Sequence, residues 1–218
     1  MEQNEITEKL CLQFITQKQA LPDILAEVGA FLEGGGRWVQ LRMKDTPTET
    51  IVETGRAVLA LCRTRGAVFI VNDRPEIALR IGADGVHIGK NDMSPADARA
   101  VLGANRIIGC TANTFEDIER LSGYPIDYIG LGPFRFTATK KNLSPVLGAE
   151  GYRRIFGQMA EHGIRIPVTV IGGITVEDIP VLHAAGARHY AVSGAVSCAE
   201  NPVEMTKRFI DNTTTYRE

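Results

Sequence analysis

Residues 130–141 bring together the residue types that bind polyanions. The stretch contains two glycines, one proline, two threonines and the three cations Arg135, Lys140 and Lys141. Glycine lets the backbone approach a ligand closely, and hydroxyl and ammonium groups donate hydrogen bonds to phosphate oxygens. The stretch follows residues 127–131, whose apolar pattern predicts a buried strand. Taken alone, it fits a solvated basic loop better than an anion site, so the ends of the other strands must decide between the two.

Cations and carboxylates follow three other predicted strands. Arg42 ends the second strand and Lys44 follows it, and both residue types bind phosphate, arginine with two oxygens at once. Asp73 and Asp92 are the only carboxylates immediately beyond the third and fourth strands. Each aspartate alone suits a helix cap, since a proline that could begin a helix follows within three residues. Together, beside the cations, they predict a Mg²⁺ site completed by water and a substrate phosphate.

Two glycine-bearing turns follow the seventh and eighth predicted strands. Gly172 and Gly173 end one strand, and Ser193 and Gly194 end the other, each before a predicted helix. Backbone N–H groups at such helix starts bind phosphate without side chains, and parallel barrels often place a phosphate site after these strands. The sequence therefore predicts two anion sites, one rich in cations with a metal and one built from glycine.

Other reactive residue types form no recognisable catalytic or metal motif. His87 lies at a strand end and could act as a general base, but the sequence names no partner for it. The chain has no Ser-His-Asp order, no zinc-ligand spacing and no dinucleotide-binding glycine motif. Its four cysteines are scattered, which predicts buried, reduced thiols and a cytoplasmic protein.

Eight strand-and-helix units must position these residues. The predicted strands are 10–15, 38–42, 68–71, 84–88, 106–110, 127–131, 167–171 and 188–192. Eight such units in about 200 residues favour a closed (β/α)₈ TIM barrel over a doubly wound open sheet. In a barrel, all the strand ends above meet on one rim. We expect one barrel domain over residues 1–218, with a polar lead at 1–9 and a tail at 211–218.

Composition excludes several classes of function. The 218 residues are 44% hydrophobic and 23% charged, and the net charge of −2 argues against a general nucleic-acid or membrane surface. No apolar run approaches the roughly 18–20 residues that span a bilayer, and the N-terminus lacks a signal-peptide layout. We therefore expect small-molecule substrates, no nucleic-acid or membrane partner and a cytoplasmic location. A homo-oligomer is compatible with the sequence.

Six short motifs resemble those of the thiamine phosphate synthase family, in the same order. They are Gln40-Leu41-Arg42-x-Lys44, Asn72-Asp73-Arg74, Asp84-Gly85-Val86-His87-Ile88-Gly89, Thr137-x-Thr139-Lys140, Ile171-Gly172-Gly173-Ile174 and Val192-Ser193. Each motif alone is common, but the ordered set is specific. The resemblance implies a (β/α)₈ transferase that joins hydroxymethylpyrimidine pyrophosphate to a thiazole phosphate. Pyrophosphate would leave the pyrimidine methylene, and the thiazole nitrogen would attack the resulting carbocation.

The resemblance also implies roles for the matching residues. The pyrimidine pyrophosphate would be bound by Gln40, Arg42, Lys44, Asn72 and Lys140. Asp73 and Asp92 would hold Mg²⁺, and Thr111 would lie beside the pyrimidine and the leaving group. The thiazole phosphate would be bound by Thr137, Thr139, Gly173, Val192 and Ser193. The residues expected to act catalytically are Lys140, Arg42 and Thr111.

Three positions depart from the family's usual pattern. Thr111 stands where serine is usual, Lys90 where glutamine is usual, and Gly194 where a less flexible small residue is usual. None of these departures removes a group that the chemistry needs. Two rival functions stay open. One is a thiazole tautomerase with a similar barrel, which needs a proton shuttle rather than a pyrophosphate clamp. The other is a non-catalytic protein that binds thiamine precursors.

Overall fold

The fold is a closed barrel of eight parallel strands, described in a computed structural model for residues 10–136 and 145–215. The strands β1–β8 are Leu12–Ile15, Trp38–Leu41, Val68–Asn72, Gly85–Ile88, Ile107–Ala112, Tyr128–Leu131, Val168–Ile171 and His189–Val192. Each strand pairs in parallel with the next, and β8 closes the barrel onto β1 with Tyr190 opposite Leu12. The predicted TIM barrel is confirmed, and the doubly wound alternative is wrong.

Helices follow the strands and cover the outside of the barrel. The helices α1–α9 are Leu21–Glu33, Thr48–Arg63, Pro75–Ile81, Pro95–Leu102, Phe115–Leu121, Gly148–Glu161, Ile179–Ala184, Gly194–Ser197 and Pro202–Thr215. A 3₁₀ turn, Val176–Asp178, precedes α7. The helices form a ring around the barrel. The ring closes at α1, which packs against both α2 and α9. Because helices cover the strands outside and side chains fill the barrel inside, most strands are apolar along their whole length.

The core has two layers. An apolar cluster that includes Phe14 and Phe69 fills the space between strands and helices. A separate cluster is formed by Trp38, Ile70, Ile107 and Tyr128. Trp38 and Tyr128 belong to β2 and β6, which are not neighbours, yet their ring centroids are 4.9 Å apart. The barrel axis is therefore packed with side chains, and ligands must bind at one of its ends.

Two of the helices begin at a capping hydroxyl. The hydroxyls of Ser94 and Thr114 each accept an N–H bond from the first turn of the helix that they begin, at 3.1 and 3.2 Å. Thr48, a residue type that suits a helix cap, does not cap α2. Pro47 occupies the cap position, and the Thr48 hydroxyl accepts a bond from Arg74 Nη2 instead.

The chain ends differ from the expectation. The last helix continues to Thr215, which corrects the expected tail at 211–218. The helix extends because buried Thr213 packs at the base of the barrel, where its hydroxyl lies 3.3 Å from Cys11 Sγ. The predicted lead and the last three residues lie outside the described ranges. Within those ranges, no helix is long and apolar enough to cross a membrane.

Candidate active site

The carboxyl ends of the strands form one rim, and the site residues predicted from sequence collect there. Those that the structure describes are Gln40, Arg42, Lys44, Asn72, Asp73, Asp92, Thr111, Gly173, Val192 and Ser193. Thr137, Thr139 and Lys140 lie outside the described residues. Since parallel barrels of this kind keep their active sites at this end, the rim is the candidate active site.

Two carboxylates meet on the rim above β3 and β4. A Cβ atom built on Gly89 would lie 2.7 Å from Asp92 Oδ2 and 4.0 Å from Asp73 Oδ1. Lys44 Nζ lies 3.1 Å from Asp73 Oδ2. Burial raises the pKa of Asp73, the adjoining Asp92 raises this pKa further, and Lys44 offsets the two effects only in part. Two carboxylates thus meet one lysine ammonium group at this point, an arrangement that suits a cation.

Asp73 adopts a backbone conformation that is unusual for a residue with a side chain. Its φ is 63°, and its N–H donates to the carbonyl oxygen of His87 at 2.7 Å. The left-handed conformation costs about 1–2 kcal/mol, and such outliers cluster at functional sites. Asp73 does not cap α3, because Arg74 occupies the cap position and makes no side-chain cap bond. The helix-cap alternative for Asp73 is therefore wrong.

The carboxylate pair fits Mg²⁺. This ion takes oxygen ligands, keeps several waters and is commonly bound by one or two carboxylates together with substrate phosphates. Among residues 10–136 and 145–215, no group of three or more His, Cys, Asp and Glu side chains could hold a metal. Asp92 also accepts the N–H of Gly89 at 2.8 Å, which fixes its carboxylate on the loop after β4.

A chain of polar side chains crosses the barrel beneath the rim. Gln40 Nε2 donates to Gln13 Oε1 at 3.3 Å, and Gln13 Nε2 donates to the Tyr128 hydroxyl at 3.2 Å. The Tyr128 oxygen is 2.8 Å from His87 Nδ1, and His87 Nε2 is 3.0 Å from Thr111 Oγ1. The bonds join five strands, β1, β2, β4, β5 and β6. One rigid base therefore orients Gln40 and Thr111, two of the predicted substrate-binding residues.

One arrangement of protons satisfies all of these hydrogen bonds. Burial raises the pKa of Tyr128, so its phenol stays protonated, and its oxygen already accepts a bond from Gln13. In this arrangement the phenol donates to His87 Nδ1, and the imidazole donates from Nε2–H to Thr111. Thr111 keeps its own hydroxyl proton for a ligand on the rim. This geometry makes His87, a general-base candidate by sequence, a positioning residue for Thr111.

Two glycines provide room for the chain of polar side chains. A Cβ atom on Gly109 would lie 2.1 Å from the Tyr128 ring, and one on Gly130 would lie 2.8 Å from His87 Cε1. Neither Gln13 nor Tyr128 follows a strand end, so a search for rim motifs misses both. Their signal is a polar side chain at an inward-facing position of an otherwise apolar strand.

Tyr128→Phe is expected to destabilise the protein by about 1–3 kcal/mol, because Gln13 Nε2 would lose its partner inside the barrel. Urea unfolding followed by the fluorescence of Trp38 measures this loss. Tyr124→Phe is the matched control, since Tyr124 is 39% exposed and a surface change of this kind stays within about 0.5 kcal/mol. Equal stability of the two variants would contradict the role given to the Tyr128 hydroxyl.

The turn after β7 has the backbone conformation that its glycines predict. Gly172 and Gly173 have φ values of 110° and 70°, a region that favours glycine. A Cβ atom on Gly172 would lie 2.7 Å from Pro133 Cα and 2.8 Å from the backbone nitrogen of Phe134. The turn therefore packs directly against the beginning of the loop after β6.

A buried carboxylate joins the loop after β1 to the short helix after β8. Glu27 is 6% exposed, and its Oε1 accepts the N–H groups of Gln17 and Lys18 at 2.9 and 3.1 Å. Its Oε2 accepts the hydroxyl of Ser197 at 2.5 Å. A Cβ atom on Gly194 would lie 3.2 Å from Gln17 Oε1. Glycine at position 194 thus leaves room for Gln17, which gives this departure from the family pattern a physical reason.

Glu27→Gln should change how stability depends on pH. Burial raises the pKa of Glu27 despite its hydrogen bonds, so the stability that this group contributes is present at low pH and lost as pH rises through the folded-state pKa. Glutamine does not titrate, and it can accept from the loop and donate to Ser197. We expect the difference in melting temperature, variant minus wild type, to be more positive at about pH 8 than at about pH 4, which lies below the ordinary pKa of glutamate. A difference that is constant with pH would contradict the raised pKa.

Arg135 is held by an ion pair at the beginning of the loop after β6. Its Nη2 lies 2.5 Å from Asp178 Oδ1, and its guanidinium lies 4.9 Å from the centre of the Phe134 ring. Asp178 also accepts the N–H and the hydroxyl of Thr175. Arg135, which the sequence suggested as a phosphate-binding cation, is therefore paired with a carboxylate that fixes the loop.

Both ends of this loop are anchored by backbone bonds. The N–H of Phe134 donates to the carbonyl oxygen of Ile171 at 2.9 Å, and the N–H of Leu147 donates to that of Pro133 at 2.9 Å. The hydroxyl of Tyr152 donates to the carbonyl oxygen of Leu131 at 2.7 Å. The loop that carries the predicted threonines and lysine thus begins and ends at a fixed point on the rim.

Sequence comparison places the chain among enzymes of thiamine biosynthesis. The profile of the family described as thiamine monophosphate synthase matches residues 12–196. A thiamine-phosphate synthase of Bacteroides fragilis is 49% identical over 93% of this chain and 99% of its own length. One from Phocaeicola vulgatus is 49% identical over 92% of this chain and 96% of its own length.

A solved structure agrees with these relatives. The thiamine phosphate pyrophosphorylase from Pyrococcus furiosus superposes with a TM-score of 0.85 at 30% sequence identity, covering 98% of this chain and 100% of that one. The profile match covers well over half of the chain, and the structural match covers nearly all of it. The chain therefore belongs to the thiamine monophosphate synthase family, as its motifs predicted.

Proposed function

We propose that this protein, a transferase by its family, joins hydroxymethylpyrimidine pyrophosphate to the thiazole phosphate, forming thiamine phosphate and releasing pyrophosphate. The relatives at 49% identity, which are named thiamine-phosphate synthases, support the reaction. The observation that carries the proposal is the pairing of Asp73 with Asp92 beside Lys44, on the same rim as Gln40 and Thr111. A thiazole tautomerase would have no use for a cation site beside lysine.

The pyrophosphate end of the first substrate would bind over β2 to β4. The groups proposed to bind it are Gln40, Arg42, Lys44, Asn72 and Lys140. Asp73 and Asp92 would hold Mg²⁺, which, when bound, neutralises charge on the departing pyrophosphate. The structure supports this arrangement through the adjoining carboxylates and the 3.1 Å contact between Lys44 and Asp73. A pyrophosphate would compete with Asp73 for the lysine ammonium group.

The thiazole phosphate would bind on the other side of the rim, beyond β6 to β8. The groups proposed to bind it are the hydroxyls of Thr137 and Thr139 and the backbone at Gly173, Val192 and Ser193. The glycine turn after β7 supports this site, since its positive φ values leave backbone open to the rim. The loop after β6 would then reach both substrates, with its threonines on one phosphate and Lys140 on the other.

The chemistry needs charge stabilisation and placement more than acid or base. The bond between the pyrimidine methylene and the pyrophosphate oxygen breaks with its electron pair on oxygen, and the thiazole nitrogen then donates a pair to the methylene carbon. Arg42 and Lys140 would stabilise the charge on the leaving oxygens, and the hydroxyl of Thr111 would donate to them. The bond from His87 holds that hydroxyl in place before the substrates arrive.

Incubating the purified protein with both substrates and Mg²⁺ tests the proposal. We expect thiamine phosphate and pyrophosphate in equal amounts, and neither product when the thiazole phosphate is omitted. Rearrangement of the thiazole phosphate alone would indicate the tautomerase. Binding of either substrate without any product would indicate a non-catalytic binding protein, and both outcomes would overturn the proposed reaction.

Two further proposals concern the setting of the enzyme. We place it in the cytoplasm, which its four free cysteines support, since thiols persist in a reducing compartment. Its partners are small-molecule substrates, and a homo-oligomer remains the proposed assembly, to be measured by light scattering of the purified protein.

A further inference from the structure

Lys90 links two neighbouring units of the rim. It belongs to the loop between β4 and α4, two residues before Asp92. Its Nζ lies 2.7 Å from Oδ2 of Asp117, in the first turn of α5. The Lys90 side chain is 38% exposed and that of Asp117 only 11%. The carboxylate is thus largely withdrawn from water, which distinguishes this ion pair from the freely exposed pairs that contribute almost nothing.

Asp117 is the centre of a larger set of bonds. The same Oδ2 that meets Lys90 also accepts the backbone N–H of Asn113 at 2.9 Å. Its other oxygen, Oδ1, lies 3.2 Å from Arg120 Nη2. Burial alone would raise the pKa of Asp117, but the bonds from Lys90 and Asn113 bring it below the ordinary value, so the carboxylate is charged at neutral pH.

The bonds continue to the loop after β6. The side-chain Nδ2 of Asn113, which is 8% exposed, donates to the carbonyl oxygen of Gly132 at 2.6 Å. Gly132 directly precedes Pro133, where that loop is anchored to its returning end. On the other side, Asp92 is fixed by the N–H of Gly89, next to Lys90. Hydrogen bonds and one ion pair therefore run without a break from the loop of Asp92 to the beginning of the loop after β6.

We propose that Lys90 is a positioning residue that braces the carboxylate of Asp92 against α5 and the beginning of the loop after β6. It does so through its contact with Asp117. The inference rests on the proposed function in one respect, the binding of Mg²⁺ and pyrophosphate near Asp92. Lys90 stands where glutamine is usual in the family, and a neutral amide would bond less strongly to the same carboxylate. In this chain the contact with Asp117 is therefore an ion pair. Its loss should loosen both the loop between β4 and α4 and the beginning of the loop after β6.

Lys90→Ala tests the brace through hydrogen exchange in the ligand-free protein. The two reporters are the amide of Gly89, which bonds to Asp92, and the amide of Asn113, which bonds to Asp117. We expect both amides to exchange about tenfold faster in the variant, since local opening reflects the loss of such restraints. The matched control is Arg63→Gln, which breaks a comparable ion pair to Asp84 at 2.8 Å near the other end of the barrel. Unchanged exchange at Gly89 and Asn113 would overturn the proposal, whether or not the protein proves to be the proposed enzyme.

Binding of pyrophosphate with Mg²⁺, measured by calorimetry without turnover, provides the second readout. We expect Lys90→Ala and Asp117→Asn each to weaken it about fivefold, the double variant to be no weaker than either, and Lys90→Arg to bind as wild type. If the losses of affinity in the two single variants multiplied in the double variant, Lys90 would not act through Asp117, and the proposal would be overturned. The proposal would also be overturned if Lys90→Ala lost as much pyrophosphate affinity without Mg²⁺ as with it, because Lys90 would then contact pyrophosphate itself. Failure of the wild type to bind would count against the proposed function alone, and the exchange rates would still decide the role of Lys90.

Discussion

Asp73→Asn is expected to lower turnover at least about 100-fold while the protein remains folded. The variant keeps the size of the side chain but removes one of the two carboxylate charges that meet at Gly89. With a single carboxylate left, the site would bind Mg²⁺ weakly, and the pyrophosphate would leave without its main counter-charge. The effect should be largest at low Mg²⁺ concentration and should shrink as the concentration rises, so steady-state rates across a Mg²⁺ titration are the measurement.

Stability separates loss of function from loss of fold in this variant. Asparagine tolerates the φ of 63° at position 73 about as well as aspartate does, and it removes the repulsion from Asp92 that raises the pKa of Asp73. Without Mg²⁺, the variant should therefore melt at the same temperature as wild type or higher. Asp45→Asn is the matched control, since Asp45 also has a positive φ, of 55°, and it should keep its turnover within about twofold. An unchanged Mg²⁺ requirement in Asp73→Asn would count against the metal site.

The barrel could be predicted because its signals are local. Each strand is a short apolar run, and each helix begins at a cap or a proline that stands beside it in the chain. Closure of the sheet could be favoured from the number of units but not established. It depends on the pairing of Leu12 with Tyr190, two residues at opposite ends of the chain. The extension of α9 to Thr215 could not be predicted for the same reason, because the contact of Thr213 with Cys11 joins residues 202 positions apart.

In the candidate site, too, features that depend on neighbouring strands could be predicted from sequence, and contacts between distant residues could not. Asp73 and Asp92 could be paired from sequence because they follow neighbouring strands, which a parallel barrel places side by side. Arg135 could not be separated from the other anion-binding candidates, because its partner Asp178 is 43 residues further along the chain. The bond between Gln13 and Tyr128 spans 115 residues and crosses the barrel, so no motif contains it. What sequence cannot supply is the side chain's partner, and the partner decides whether a charge is available to a ligand.

Gly172→Ala should impair both stability and turnover, because this glycine joins the turn after β7 to the beginning of the loop after β6. Alanine is strained at its φ of 110°, and the added Cβ would lie 2.7 Å from Pro133 Cα, a backbone atom that cannot rotate away. The strain costs about 1–2 kcal/mol and the overpacking about 1–3 kcal/mol more. Relief of the clash requires Pro133 and Phe134, at the beginning of the loop after β6, to move. Turnover should fall about 10- to 100-fold, since small misplacements of catalytic groups have effects of this size.

Gly163→Ala isolates the contribution of backbone strain. Gly163 has a φ of 66°, but a Cβ atom there would meet nothing within 4 Å, and it lies just beyond the end of α6, away from the rim. This variant should lose only about 1 kcal/mol and keep its turnover. Urea unfolding and steady-state rates of the two variants, measured side by side, therefore separate the strain of a left-handed residue from displacement of the loop. If Gly172→Ala lost stability but kept full turnover, the loop after β6 would not depend on its fixed beginning, and the placement of Lys140 would have to come from the ligands themselves.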